Sequence, residues 1–148
     1  MENLVALTCP NCGAPIKFNV NMGISPCEFC KSYIVSDSNN LQVPSEINLR
    51  MLKPDIQFMA NFVENSFNSQ GGHLWITAKD IFFKPHAFNF GNLDKKYMRI
   101  ADIVSMVKTN EKFGLSKNLT ITDKNGNSMK LVSWNRDEII SAIESRKL

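Results

Sequence analysis

Histidine is nearly missing from this chain, with two residues in 148, and cysteine does not occur after position 30. Only His73 and His86 offer imidazoles. No Ser or Cys stands in a nucleophile elbow, no Gly-rich loop precedes a helical pattern, and no carboxylate pair is marked out. Catalysis is therefore not expected, and no small-molecule substrate is implied. Long apolar runs are also lacking: no stretch of eighteen apolar residues exists, which excludes a transmembrane helix. The opening "MENLVALTCPNC" has an acidic second residue, no basic start and no long apolar segment, so it does not read as a secretory leader. The expected location is the reducing cytoplasm, where disulfides are rare and paired cysteines usually bind metal.

The residues that are present divide the chain. Hydrophobic residues make up 43% and charged ones 21%, which fits a folded globular chain and not a disordered one. The net charge of +3 is too small to argue for nucleic acid by itself. Residues 1–46 hold two basic and four acidic groups, whereas the remainder holds fifteen basic and ten acidic. Between these halves lies "SDSNNLQVPSEIN", residues 36–48, a Ser/Asn/Asp/Pro cluster without periodicity. The expected organisation is a small module over 1–36, a linker over 37–53 and a second domain over 54–148. A module of that length lies below the ~40 residues at which a chain usually needs a metal or crosslink to fold.

Its four cysteines supply the means. Cys9 and Cys12 form one Cys-x-x-Cys pair, and Cys27 and Cys30 form another after a gap of fourteen residues. Two intervening residues let a tight turn aim both sulfurs at one ion, and two such turns complete a tetrahedron. The spacing predicts one structural Zn2+ held by Cys9, Cys12, Cys27 and Cys30. A four-thiolate iron site uses the same ligands. Catalytic zinc is disfavoured because four thiolates leave no position for water, and redox exchange because no βαβ pattern follows either pair. Over residues 7–35, on "CPNCG" and "CEFC", the module resembles the zinc-ribbon family. Its second knuckle departs from that family in having Lys31 where glycine usually follows the last cysteine.

From residue 56 the period is mostly that of strands. "IQFMANFV" (56–63), "HLWIT" (73–77), "DIFFK" (80–84), "KYMRI" (96–100), "IVSMVKT" (103–109), "NLTIT" (118–122) and "SMKLVS" (128–133) are seven candidates. Asn125-Gly126 predicts a tight hairpin, and Gly71-Gly72 reads as a turn. Residues 135–146 switch to a helical period. Asn135 is the expected N-cap, with Glu138 closing a capping box and Trp134 and Ile139 forming a hydrophobic staple. The fold class is thus mainly β with one C-terminal α-helix.

"GGHLWITAKDIFFKPHAFNF" (71–90), "MRIADIVSMVKTN" (98–110) and "NLTITDKNGNSMKLVSWNRDEIISAI" (118–143) resemble the GRAM family, a branch of the pleckstrin-homology-like (PH-like) superfold. The likeness runs over 56–146 and implies a seven-stranded, partly open barrel capped by the helix. It further implies a non-catalytic role in binding a protein partner or an anionic lipid headgroup, with peripheral membrane location. The loop "ENSFNSQGG" (64–72) carries no Lys or Arg, unlike phosphoinositide-binding relatives. A second basic group, Lys79, Lys84, His86, Lys95, Lys96 and Arg99, is the candidate anion or lipid patch, although lysines beside hairpins also serve to keep strand edges soluble. Phe67, Phe113 and Leu115 fall in expected loops, where apolar side chains more often fold back on a barrel rim than enter a membrane. The alternative is nucleic-acid binding through the ribbon. That module offers only Lys17 and Lys31 to phosphates, and Phe18, Phe29 and Tyr33 for stacking.

Overall fold

The computed structural model describes residues 4–36, 47–64, 69–86, 93–110 and 117–147. Residues 37–46 of the expected linker lie outside them, as do Phe67, Phe113 and Leu115. The chain divides into two compact units, Met1–Lys53 and Pro54–Leu148.

In the first unit, β1 (Leu4–Thr8) and β2 (Pro15–Asn19) form an antiparallel hairpin in which Leu7 faces Ile16. A three-stranded sheet follows, with β4 (Tyr33–Ser36) between β3 (Ile24–Pro26) and β5 (Leu49–Met51). Strict alternation along β2 turns Ile16 and Phe18 inward, where they pack with Ile34 against buried Cys9 and Cys27. Strand β5 lies within the segment read as linker. Three residues are too few to show a period, so its sequence reveals nothing until β4 offers a ladder, here Ile34 opposite Met51.

In the second unit the chain forms β6 (Ile56–Val63), β7 (Ser69–Ile76), β8 (Asp80–Pro85), a one-turn helix α1 (Leu93–Lys96) and β9 (Tyr97–Arg99). A 3-10 turn (Ile100–Asp102) leads to β10 (Ile103–Asn110), β11 (Lys117–Asp123), β12 (Ser128–Val132) and the helix α2 (Arg136–Glu144). The strands make one antiparallel sheet in the order β10-β11-β12-β6-β7-β8-β9. Among the described residues the sheet is open, with β10 and β9 at its two edges, and the expected partly open barrel is not closed by pairing between them. β9 contributes only three residues, too short an edge to carry a ladder around to the far side.

Alternate residues of each long strand face one core: Leu74 and Ile76, Ile81 and Phe83, Leu119 and Ile121, Met129 and Leu131. Helix α2 covers that core with Ile139 and Ile143, both fully buried. Asn135 is its N-cap residue, but the side chain makes no capping bond. Instead Ser133 Oγ accepts the Asn135 N–H at 3.1 Å and donates to the Met59 carbonyl at 2.8 Å, fixing the entry to the helix. The expected staple does not form either. Trp134 is 84% exposed and lies against Lys117, whose Nζ is 5.8 Å from the ring centroid.

Two turns register the long strands. Between β7 and β8, Thr77 Oγ1 accepts the N–H groups of Lys79 and Asp80 and donates to Asp80 Oδ2 at 3.0 Å. Tyr97 OH donates to the other oxygen of Asp80 at 2.6 Å, and burial together with that carboxylate pushes the Tyr97 phenol well up. Between β11 and β12, Asp123 Oδ1 accepts from the Asn125 and Asn127 N–H groups at 2.9 Å, with Gly126 at φ +86°. This is the hairpin that Asn-Gly predicts.

Gly71 and Gly72 are not a turn; both lie inside β7. A Cβ on Gly72 would sit 2.2 Å from the Lys84 carbonyl oxygen and 2.8 Å from both Phe83 Cζ and Pro85 Cα. The ladder between β7 and β8 therefore closes only over glycine at 72. At Gly71 the nearest atom, His86 Cδ2, is 3.4 Å away. Gly72→Ala is expected to destabilise the second unit by about 3 kcal/mol or more, and Gly71→Ala by less than about 1. Thermal unfolding followed by near-UV circular dichroism checks this; equal effects at the two positions would contradict the close approach.

Candidate metal centre

Two turns of the same construction carry the cysteines. In the first, the Gly13 N–H donates to the Cys9 carbonyl at 3.0 Å, and the Cys9 N–H donates to the Ala14 carbonyl at 2.8 Å. In the second, the Lys31 N–H donates to the Cys27 carbonyl and the Cys27 N–H to the Ser32 carbonyl, both at 2.8 Å. Each turn ends on a left-handed residue, Gly13 at φ +79° and Lys31 at φ +65°. Lys31 thus adopts a conformation that glycine reaches without strain, at an expected backbone cost of roughly 1–2 kcal/mol.

The hairpins bring all four Sγ atoms within 4.8 Å of one another. Cys9 and Cys30 lie 3.7 Å apart, and Cys12 and Cys27 3.6 Å. These separations are far above a disulfide's ~2.05 Å. They match the edge of about 3.8 Å that follows from a tetrahedron with metal–sulfur bonds of ~2.3 Å. Cys9 and Cys27 are buried, Cys30 is half-buried and Cys12 exposed, so the cluster sits at the rim of the first unit's core.

The donor set fits a cation on electrostatic grounds as well. The Ser32 hydroxyl, the Asn11 amide and the Ser32 backbone hold the Cys30 thiol down to about 5. At Cys12 the Ala14 backbone N–H acts to lower the pKa, but desolvation and the neighbouring cysteines prevail and push it up to about 11. A divalent ion at the centre would favour all four thiolates. Asn11 Nδ2 also donates to Ser32 Oγ at 3.2 Å, tying the two turns together. Neither residue was a candidate from spacing alone; the available signal is that polar residues stand inside the first turn and directly after the second.

The candidate basic residues are spread along β8 and its neighbours. Lys79 and Arg99 lie at the β7–β8 turn, where Asp80 faces Arg99 across the ladder. Lys84 and His86 lie toward the other end of β8, five or more residues on, or about 17 Å at the usual strand rise. Lys84 Nζ stands 5.4 Å over the Trp75 ring, and the His73 and His86 rings meet edge to face at 5.2 Å. Lys95 is exposed in α1, whereas Lys96 is fully buried with Nζ 5.5 Å from the Phe62 centroid.

No family model matches the chain, and no curated protein matches it. Among solved structures it is similar to the C-terminal domain of an unknown protein from Leishmania infantum, with a TM-score of 0.51 and 19% identity. The likeness covers 64% of this chain and 83% of that one, and concerns fold alone.

Protein purified without chelator is expected to carry about one equivalent of metal per chain by elemental analysis. Cys27→Ser should lose most of it, and a chelator should collapse the first unit's amide dispersion while sparing the second's. Less than about half an equivalent in the unsubstituted protein would contradict the ligand set. Lys31→Gly is expected to raise the midpoint of chelator-induced unfolding and Lys31→Val to lower it, because a β-branched residue tolerates the left-handed region least. An unchanged pair of midpoints would show that this conformation carries no strain.

Proposed function

We propose that this is a non-catalytic binding protein, built from a zinc ribbon and a PH-like unit of the GRAM type, whose task is to engage a protein partner. The observation that carries the reading is the convergence of four sulfurs within 4.8 Å of one another, two pairs of them at 3.6 and 3.7 Å. Four thiolates complete the shell of one zinc and leave no site for substrate or water, so the ion serves folding. Zinc is preferred over iron because the first unit is too small to fold without a closed structural site, the usual role of four-cysteine zinc.

The PH-like reading is supported by strand order. A four-strand meander (β6 to β9) is followed by three strands that return to the first, with β12 beside β6, and then by a helix over the core. Proteins with such units act through their surfaces, and exposed Phe29, Met59 and Trp134 offer apolar anchors. A protein partner is favoured over an anionic membrane because the basic residues are dispersed and Lys96 is buried. The acidic balance of residues 1–46 disfavours nucleic acid in the same way.

Affinity capture with the full chain from its native cell, alongside flotation on anionic vesicles and a low-salt gel shift, tests the proposal. The expected outcome is a stoichiometric protein partner that Met59→Asp or Phe29→Asp releases, with no flotation and no shift. Flotation lost in Lys84→Ala/Lys95→Ala would replace the protein reading with the membrane one, and retardation of nucleic acid would replace both.

A further inference from the structure

The outer face of the second unit's sheet holds a depression of about 310 Å³. Its position follows from the period of the strands. Phe62 and Leu131 are cross-strand partners that face the core, so their neighbours Asn61 and Val132, also partners, face outward. Asn61 in turn pairs with Gly71, and the His86 N–H donates to the Gly71 carbonyl at 3.0 Å. A Cβ at position 71 would stand 3.4 Å from His86 Cδ2 and 3.5 Å from Asn61 Oδ1, so these two lining side chains converge beside that glycine. Met59, Lys117, Trp134 and Asn135 also line the depression, together with Ala60, Gly72 and Ser133.

The chemistry of the lining is selective. It offers one ammonium (Lys117), two carboxamides (Asn61, Asn135) and the His86 imidazole, beside an indole and a thioether. Among the described residues no carboxylate lines it. Trp134 and Met59 are 84% and 69% exposed, an apolar wall left uncovered next to a cation. Lys117 Nζ, 5.8 Å from the Trp134 ring, stands where it can meet a negative group while the ring meets an apolar one. The volume falls at the small end of ligand pockets, which begin near ~300 Å³.

We propose that this depression is a binding site for a small organic anion, a carboxylate or phosphate joined to an aromatic or short aliphatic group. Lys117 and the amides of Asn61 and Asn135 receive the anion, and Trp134 and Met59 cover the apolar part. The inference rests on reading the second unit as a binding module, but its test needs no protein partner, so the two can fail separately.

The full chain is titrated with phenyl phosphate, benzoate, inorganic phosphate and benzylamine, while the Trp134 indole N–H is followed by NMR and assigned with Trp134→Phe. Phenyl phosphate or benzoate is expected to shift that resonance saturably below about 10 mM, with inorganic phosphate about tenfold weaker and benzylamine inert. Lys117→Ala should weaken binding by about tenfold or more while the amide spectrum elsewhere is unchanged. Asn61→Ala, an exposed truncation, serves as the second variant and should weaken binding severalfold. Absence of a saturable shift with either aromatic anion, equal binding of benzylamine, or undiminished binding in Lys117→Ala would each overturn the proposal.

Discussion

Four sulfurs that approach within 4.8 Å define the first unit, and most of its other features answer to that convergence. Both hairpins end in the same five-residue turn, and Phe18, Ile16 and Ile34 pack on the inner sides of Cys9 and Cys27. Buried Cys9 and Cys27 are themselves part of this core, so removing the sulfurs would take away the surface on which Ile16, Phe18 and Ile34 pack. The need for a left-handed residue after each pair has the same origin. Gly13 meets it without strain, and Lys31 meets it because the turn leaves no other conformation.

The second unit relies on a different constraint, continuity of one antiparallel ladder through seven strands. Its turns are fixed by side chains that satisfy backbone donors: Thr77 and Asp80 at one, Asp123 at another, Ser133 at the entrance to α2. Arg136 adds a tie of the same kind, donating to the Thr109 and Asn118 carbonyls and so joining the helix start to β10 and β11. Polar groups here set register, while Leu74, Phe83, Leu119 and Leu131 supply the hydrophobic stabilisation.

Features encoded by local pattern were legible in the sequence. The cysteine spacing named the four ligand candidates, seven strands stood out by alternation and β-branching, and Asn125-Gly126 marked its hairpin. What escaped depends on distant partners. Gly71-Gly72 reads as a turn because glycine usually is one, and only the approach of Lys84 and Pro85 shows why a strand needs it. The Asn135 capping box yields to Ser133, whose hydroxyl bridges to Met59 across 74 residues of chain. Lys96 counts as surface charge in any sequence reading, yet it lies over Phe62.

The division at Lys53 and Pro54 has a thermodynamic consequence. If Cys9, Cys12, Cys27 and Cys30 hold an ion, the first unit draws stability from the chemical potential of that ion, whereas the second draws it from apolar area withdrawn from water. The stability of the first unit would then vary with free metal concentration, a dependence that the core of the second does not share.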